Sequence, residues 1–132
     1  MKTLNLKSIL GAIAIVIFSC AICCAQDWKN ADAKTVKVLA DTNYVRASEV
    51  TIMPKEKGEV HTHPAHFFYA LTECHLVVHY VDGKEEKYDL SAGENGYSDP
   101  ERPHRTENVG GKPATFLLIE LKEHPFKAVQ KK

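Results

Sequence analysis

The sequence has little cysteine outside its first 25 residues. Four cysteines occur in 132 residues, and Cys20, Cys23 and Cys24 all lie in an apolar N-terminal segment. Cys74 is the only cysteine in the rest of the chain, so that part has no internal disulfide. A lone cysteine in a strand-like segment is most often a small buried apolar residue. No histidine-plus-acid pattern accompanies Cys74, so cysteine catalysis is not expected.

An excess of charge of either sign is also missing. The chain carries 17 Lys and Arg against 17 Asp and Glu. Removal of an N-terminal segment containing Lys2 and Lys7 would leave a net charge near −2. This balance gives no electrostatic basis for binding nucleic acid or an anionic membrane surface. We therefore expect no nucleic-acid partner and consider a small-molecule ligand or substrate instead.

The one long apolar run lies at the N-terminus. Lys2 and Lys7 precede the apolar residues 9–18, and small residues follow up to Ala25. This pattern is typical of a secretory signal peptide, with cleavage after Ala25. It predicts an exported protein, periplasmic or secreted, with no membrane association after cleavage.

Two alternatives keep the N-terminal segment in the protein. The uncharged residues 8–26 approach the roughly 20 apolar residues that a membrane span needs. A lipid anchor at Cys20 is the minority alternative, because Ile17-Phe18-Ser19-Cys20 resembles a lipobox except for the bulky Phe18. No positive cluster follows the segment, which favours the cleaved signal.

The remaining 107 residues suffice for one domain. We predict an N-terminal arm at residues 26–34, a β domain at 35–122 and a polar tail at 123–132.

No segment after the signal shows a long 3.6-residue apolar stripe, whereas about eight short strand-like runs occur between turn signals. Asp82-Gly83 between two such runs is a strong hairpin signal. The pattern predicts an all-β sandwich or barrel, large enough for side chains or one small ligand.

Histidines are concentrated in one short stretch. Three of the seven, His61, His63 and His66, fall within six residues. In an extended strand, residues two apart point to the same face, so His61 and His63 can direct both imidazoles at one point. A short histidine-rich tract is a metal-binding signature, and imidazole suits zinc, copper, iron and nickel. The alternative is that these are surface or hydrogen-bonded histidines without a metal.

Two motifs resemble those of the cupin superfamily, whose members are small jelly-roll barrels with a metal or ligand site in the barrel mouth. His61-x-His63-Pro64 matches the centre of the first motif, G-x5-H-x-H-x(3,4)-E-x6-G. The second motif, G-x5-P-x-G-x2-H-x3-N, is matched in order by Gly93, Pro100, His104 and Asn108. The resemblance covers about residues 45–122 and implies a jelly-roll β-barrel of about eight strands.

The resemblance implies that His61, His63 and His104 bind a divalent metal ion: zinc, iron, copper or nickel. The glutamate of the first motif is missing, because Phe67 and Phe68 occupy its positions. His66 lies one residue early and either replaces that glutamate as a fourth ligand or faces solvent at the rim. Loss of the carboxylate should weaken the binding of hard ions such as manganese more than that of zinc or copper.

Other polar and aromatic residues near the second motif are weaker candidates. Tyr97 either lines the pocket mouth or packs without a special role. Arg102, together with Arg105, could hold an anionic ligand, although arginines in exposed loops are common. His75 and His79 lie four residues apart on one strand face and are expected to be ordinary β-face residues.

Two function hypotheses follow. The first is a metal-dependent cupin oxygenase or isomerase acting on a small molecule, with the ion as Lewis acid or redox centre. The second is a non-catalytic cupin that serves as a small-molecule-binding, sensing or interaction module without metal. No residue singles out a substrate. Small cupins are often homodimers, and residues 35–40 could pair across such an interface to cover an exposed strand edge.

Overall fold

The computed structural model describes residues 26–27 and 35–129 of the chain. The predicted signal peptide at 1–25, the lipid-anchor alternative at Cys20, residues 28–34 of the predicted arm and residues 130–132 lie outside the described residues. In the part that is described, no helix is long and apolar enough to cross a membrane. Cleavage and export therefore stay predictions.

The described residues form ten β-strands and no helix. In chain order these are β1 (Gln26–Asp27), β2 (Val36–Asp41), β3 (Val45–Ile52), β4 (His61–His63), β5 (His66–Ala70), β6 (Cys74–Tyr80), β7 (Glu85–Leu90), β8 (Asn95–Ser98), β9 (Glu101–Asn108) and β10 (Ala114–Leu121). The predicted all-β fold is confirmed. The larger strand number arises because short strands such as β1 and β4 add to the longer ones.

The strands form two five-stranded sheets, in the orders β1-β4-β9-β6-β7 and β2-β3-β10-β5-β8. Each pairing is antiparallel except that of β1 with β4. The chain passes repeatedly from one sheet to the other, as in a double-sheet jelly roll. This winding brings β4 and β9 together although about 40 residues separate them in the sequence.

Alternating burial along the strands creates the interior between the sheets. In β3, Arg46, Ser48, Val50 and Ile52 are buried, whereas the residues between them are partly exposed. Apolar side chains fill one end of this interior: Val50, Ile52, Ala70, Cys74, Leu76, Ala114 and Leu118. Cys74 is fully buried there, and burial raises the pKa of its thiol. It therefore packs as a small apolar residue, as expected.

Turn chemistry and one buried amide fix the strand ends. The Asp82-Gly83 hairpin is confirmed: β6 pairs with β7, and Gly83 has a φ of 87°, which glycine adopts without strain. Asn108 ends β9 and is fully buried. Its side-chain amide donates to the carbonyl oxygens of Ile52 and Lys112, at 2.8 Å each. These bonds tie the end of β9 to β3 and therefore help to position the strand that carries His104.

The segments at the two ends of the domain also have defined contacts. The backbone N–H of Ala65 donates to the carbonyl of His124 at 2.9 Å, so the start of the predicted tail lies against the connection between β4 and β5. β2 is the edge of its sheet and pairs with β3 alone among the described strands. The homodimer through residues 35–40 stays a prediction.

Candidate metal centre

Three buried histidines meet where β4 and β9 pair. His61 and His63 lie on β4, and His104 on β9 is the direct partner of His61 in the antiparallel register. The exposed fractions of the three residues are 4%, 7% and 1%, respectively. One ring nitrogen from each can be chosen so that all three atoms lie within 4.8 Å of one another. The structure thus brings together the three residues that the sequence selected.

The Nδ1 atom of each of these rings faces an acceptor. His61 Nδ1 lies 2.8 Å from the carbonyl oxygen of Glu59, and His104 Nδ1 lies 2.8 Å from that of Arg102. His63 Nδ1 lies 3.0 Å from Oε1 of Glu120. Because carbonyl and ionised carboxylate oxygens only accept, Nδ1 carries the proton and Nε2 presents a lone pair. Protein partners of this kind orient histidine ligands in metal sites.

Burial keeps the imidazoles of His63 and His104 in the neutral form that a metal requires. Desolvation, with the nearby imidazole of His61 as the next cause, lowers the pKa of His63 well below its usual value. The same two causes lower the pKa of His104 to about 4. Metal binding at neutral pH therefore needs no loss of a proton from either ring.

The contact between His61 and His63 fits a shared cation. Their Nε2 atoms lie 3.1 Å apart. With both protons on Nδ1, this contact sets two lone pairs against each other, and a cation between them would turn repulsion into attraction. Two nitrogen ligands at about 2.0–2.1 Å from one ion are roughly 3.0–3.4 Å apart. The residues present therefore fit a divalent first-row metal in donor type and, for this pair, in separation.

A buried carboxylate supports His63 from behind. Glu120 on β10 is fully buried and lies between two partners, with Oε1 at 3.0 Å from His63 Nδ1 and Oε2 at 2.6 Å from Arg46 Nε. Sequence reasoning missed this role. The sequence pattern that could have identified Glu120 is the alternation of β10, which places it on the inward face with Leu118 and Phe116.

A second carboxylate, Glu101 on β9, also escaped sequence reasoning. Its Oε2 atom lies 3.3 Å from His104 Nε2. Burial, followed by the charge of Glu86, raises the pKa of Glu101 to about 7. The sequence feature that could have identified Glu101 is its position three residues before His104, the histidine of the second motif. Glu101 stands at an unspecified position of the second motif, so the resemblance does not select it.

His66 is buried rather than solvent-facing. It begins β5 with an exposed fraction of 5%, so the solvent-facing alternative is wrong. Its Nδ1 lies 3.0 Å from the carbonyl oxygen of Pro64, and its ring centroid lies 5.0 Å from that of His63. It stands beside the group formed by His61, His63 and His104 but is not a member of it. Its role as a fourth ligand stays a prediction.

The side chains of the two weaker pocket candidates make their contacts outside the cluster. Tyr97 on β8 is 59% exposed and pairs with Phe67 on β5. The guanidinium carbon of Arg102 lies 3.6 Å from the ring centroid of Tyr80, and its Nε lies 3.1 Å from Asp82. Arg102 thus contacts His104 through its backbone carbonyl, which accepts from Nδ1. Its side chain and that of Tyr97 are not among the residues that line the two cavities at the cluster.

Those two cavities adjoin His63. The smaller has about 40 Å³ of water-accessible space on the His61 side. The larger has about 80 Å³ and is bounded at its polar end by His63, His66, Glu101 and His104. Its remaining wall is mostly apolar: Phe68, Leu76, Val78, Tyr88, Leu90, Phe116 and Leu118. One water needs about 10–15 Å³ on this scale, so the larger cavity can accept a molecule of a few heavy atoms.

Comparison with known proteins places this site in a family. Residues 48–120 match the model of the cupin domain (Cupin_2), which is more than half of the chain. The chain belongs to the cupin family. The predicted superfamily is thereby confirmed. The cupin domain of a Bordetella pertussis Tohama I protein has a similar fold, with a TM-score of 0.60, 20% identity and coverage of 65% of this chain and 90% of that one.

Two further relatives extend the comparison. A cupin with a double-stranded β-helix fold from Methanocaldococcus jannaschii aligns with a TM-score of 0.55 and 14% identity, covering 73% of this chain and 86% of that one. Oxalate decarboxylase OxdC of Bacillus subtilis (strain 168) is 29% identical over 97 residues, which is 71% of this cupin. That alignment spans 24% of the length of OxdC.

Proposed function

We propose that this cupin binds one divalent first-row metal ion through His61, His63 and His104, and a small molecule in the adjoining cavity. The observation that carries the proposal is the orientation of the three rings. Each Nδ1 faces a protein acceptor, so each Nε2 presents a lone pair to the interior. Three neutral nitrogen donors with remaining open positions are typical of catalytic rather than structural sites.

The protein's own residues would prepare the site for such an ion. Glu120 fixes the tautomer of His63, and the apolar wall of the larger cavity limits the water that reaches the cluster. When bound, the ion would supply Lewis-acid or redox chemistry. We propose oxygenase or isomerase chemistry on a small molecule as the activity class to test.

The cavity limits the choice of small molecule. Neither cavity at the cluster is lined by lysine or arginine. A ligand would thus be held by one polar group at the metal end and by apolar contacts elsewhere. Small carboxylic acids are the first class to test, which the name of the relative oxalate decarboxylase also favours.

Elemental analysis and calorimetric metal titration test the metal site. Protein purified after expression of the full sequence should bind one equivalent of zinc, iron, copper or nickel. His61→Ala and His104→Ala should abolish binding, whereas His75→Ala and His79→Ala on the outer surface serve as matched controls. If the wild type binds no stoichiometric metal and added metal leaves Tm unchanged, the metal assignment fails and the non-metal binding or sensing module is favoured.

Export is proposed from residues 1–25 alone. Their charge and apolar pattern supports a signal peptide cleaved after Ala25. Intact-mass analysis of protein recovered from the periplasm or medium should give a chain beginning at Gln26. Recovery of the uncleaved chain or of a chain beginning with a lipid-modified Cys20 would contradict the cleaved signal.

A further inference from the structure

We propose that Glu101 is the anionic ligand of the metal centre and supplies from β9 the carboxylate that the first motif lacks. This inference rests on the proposed function, because it assumes that His61, His63 and His104 hold an ion. It assigns a role to a residue that lies outside both the H-x-H pair and the H-x3-N pair.

The position of Glu101 relative to the cluster supports a ligand role. Its Oε2 atom lies 3.3 Å from His104 Nε2, within the roughly 3.0–3.4 Å expected for two donors bound to one ion. In the β4–β9 pairing, Glu101 is the register partner of His63. It also lines the larger cavity together with His63 and His104. Glu101 therefore stands on the side of the cluster where a ligand or substrate would enter.

The charges around Glu101 also support a ligand role. Its side chain is 15% exposed, and no lysine or arginine among the described residues forms an ion pair with it. The neighbouring Arg102 is directed instead at Asp82 and the ring of Tyr80. An ionised carboxylate at this depth needs a positive partner. Three neutral imidazoles would leave the full charge of a divalent ion available to it.

His66 is the competing candidate for the same position. Neither His66 nor Glu101 belongs to the group within 4.8 Å that His61, His63 and His104 form. Glu101 is favoured because its Oε2 atom lies 3.3 Å from Nε2 of one member of that group, His104. The Nδ1 atom of His66 faces the carbonyl of Pro64, and its ring lies on the wall of the larger cavity. This placement suits contact with a bound small molecule rather than with the ion.

Manganese and zinc titrations of four proteins test the assignment: the wild type, Glu101→Gln, His66→Gln and Glu86→Gln. Glu86 is the matched control, because its charge acts on Glu101 but its carboxylate is bound by Tyr80 and Tyr88. Loss of a residue that merely supports a ligand costs about 10–100-fold in affinity, so Glu101→Gln should cost about 100-fold or more for Mn²⁺. The loss for Zn²⁺ should be smaller, since zinc depends less on a hard oxygen ligand.

The visible spectrum of bound Co²⁺ provides a readout that is independent of activity. It reports coordination number and ligand type, so it should change in Glu101→Gln and stay unchanged in Glu86→Gln and His66→Gln. Glu101→Asp, which keeps a shorter carboxylate, should retain more Mn²⁺ affinity than Glu101→Gln. This second variant separates a ligand role from a general loss of folding.

The outcomes distinguish the two proposals. If the wild type binds neither metal, the three-histidine proposal fails and the Glu101 assignment fails with it. If the wild type binds both ions and Glu101→Gln matches Glu86→Gln in affinity and Co²⁺ spectrum, only the Glu101 assignment is overturned. If His66→Gln shows the loss and the spectral change instead, His66 is the fourth ligand and Glu101 is not.

Discussion

Histidines occur in two contrasting environments in this cupin, one between the sheets and one on the outer surface. In the inner group, formed by His61, His63 and His104, each Nδ1 faces a protein acceptor, so the proton lies on Nδ1 and Nε2 carries the lone pair. On the outer surface, His79 lies between two carboxylates, at 2.7 Å from Glu85 and 2.8 Å from Glu107.

His75 shows how strongly the surroundings determine charge. A hydrogen bond to Asp89 raises its pKa, whereas burial lowers the pKa of His63 and His104. His75 is therefore suited to act as a cation in a surface ion pair with Asp89. The inner histidines are suited to donate lone pairs to a metal. The same side chain thus has opposite chemistry in the two places because its desolvation and its partners differ.

The largest expected effect on the free energy of unfolding concerns two glutamates. Each bridges a basic residue and a histidine, one in the interior and one on the outer surface. Glu120 bridges Arg46 and His63 in the interior, and Glu107 bridges Lys57 and His79 at the surface. Glu120→Gln should lower the free energy of unfolding by about 3–5 kcal/mol, because it breaks the buried ion pair between Arg46 and Glu120.

Its matched control, Glu107→Gln, should lower the free energy of unfolding far less, since solvent screens the surface pair. Urea denaturation of both variants in the presence of a chelator measures the two costs. Equal losses of the free energy of unfolding in the two variants would show that burial does not make the Glu120 interactions stronger than those of Glu107.

An intermediate effect concerns the pH dependence of the metal-free protein. His104 has a pKa of about 4 when folded against 6.5 when unfolded, so the unfolded state binds more protons between these values and acid destabilises the fold. The titration of His104 should lower the free energy of unfolding by about 2 kcal/mol when the pH falls from 6.5 to 5. The lowered pKa of His63 acts in the same direction.

Glu101 acts in the opposite sense. Its folded pKa of about 7 exceeds the unfolded value of 4.5, so its contribution to stability is present at low pH and is lost as the pH rises through 7. Glu101→Gln should therefore lose more stability than the wild type when acidified from pH 6.5 to pH 5. Urea denaturation at both pH values, with chelator, measures this difference. Identical losses in the two proteins would contradict the opposing roles.

The smallest effect is expected at the outer histidines themselves. His75→Gln and His79→Gln should each change the free energy of unfolding only slightly, because both side chains pair with carboxylates near solvent. Thermal denaturation with and without added zinc should show the same metal-induced rise in Tm as the wild type. A reduced rise would mean that the outer surface also binds the ion.

Several parts of the site could be predicted from local sequence. The spacing of His61 and His63 places both on one face of a strand, and both are indeed buried on β4 with Thr62 between them partly exposed. His104 was found through its resemblance to the second cupin motif. Tyr97 and Arg102, chosen for their closeness to that motif in sequence, do not line the cavities at the cluster. Closeness along a strand therefore does not place a side chain on its inward face.

The all-β fold and the paired histidines of β4 could be predicted from the sequence, because the two-residue period of a strand is a local property. The residues that surround this pair are known only from the packing of the strands. The pairing of β4 with β9 sets His104 opposite His61 and brings Glu101 to the cluster, and β10 in the other sheet places Glu120 behind His63. These contacts join residues up to 57 positions apart, and they depend on strand register and sheet packing, which no local pattern encodes.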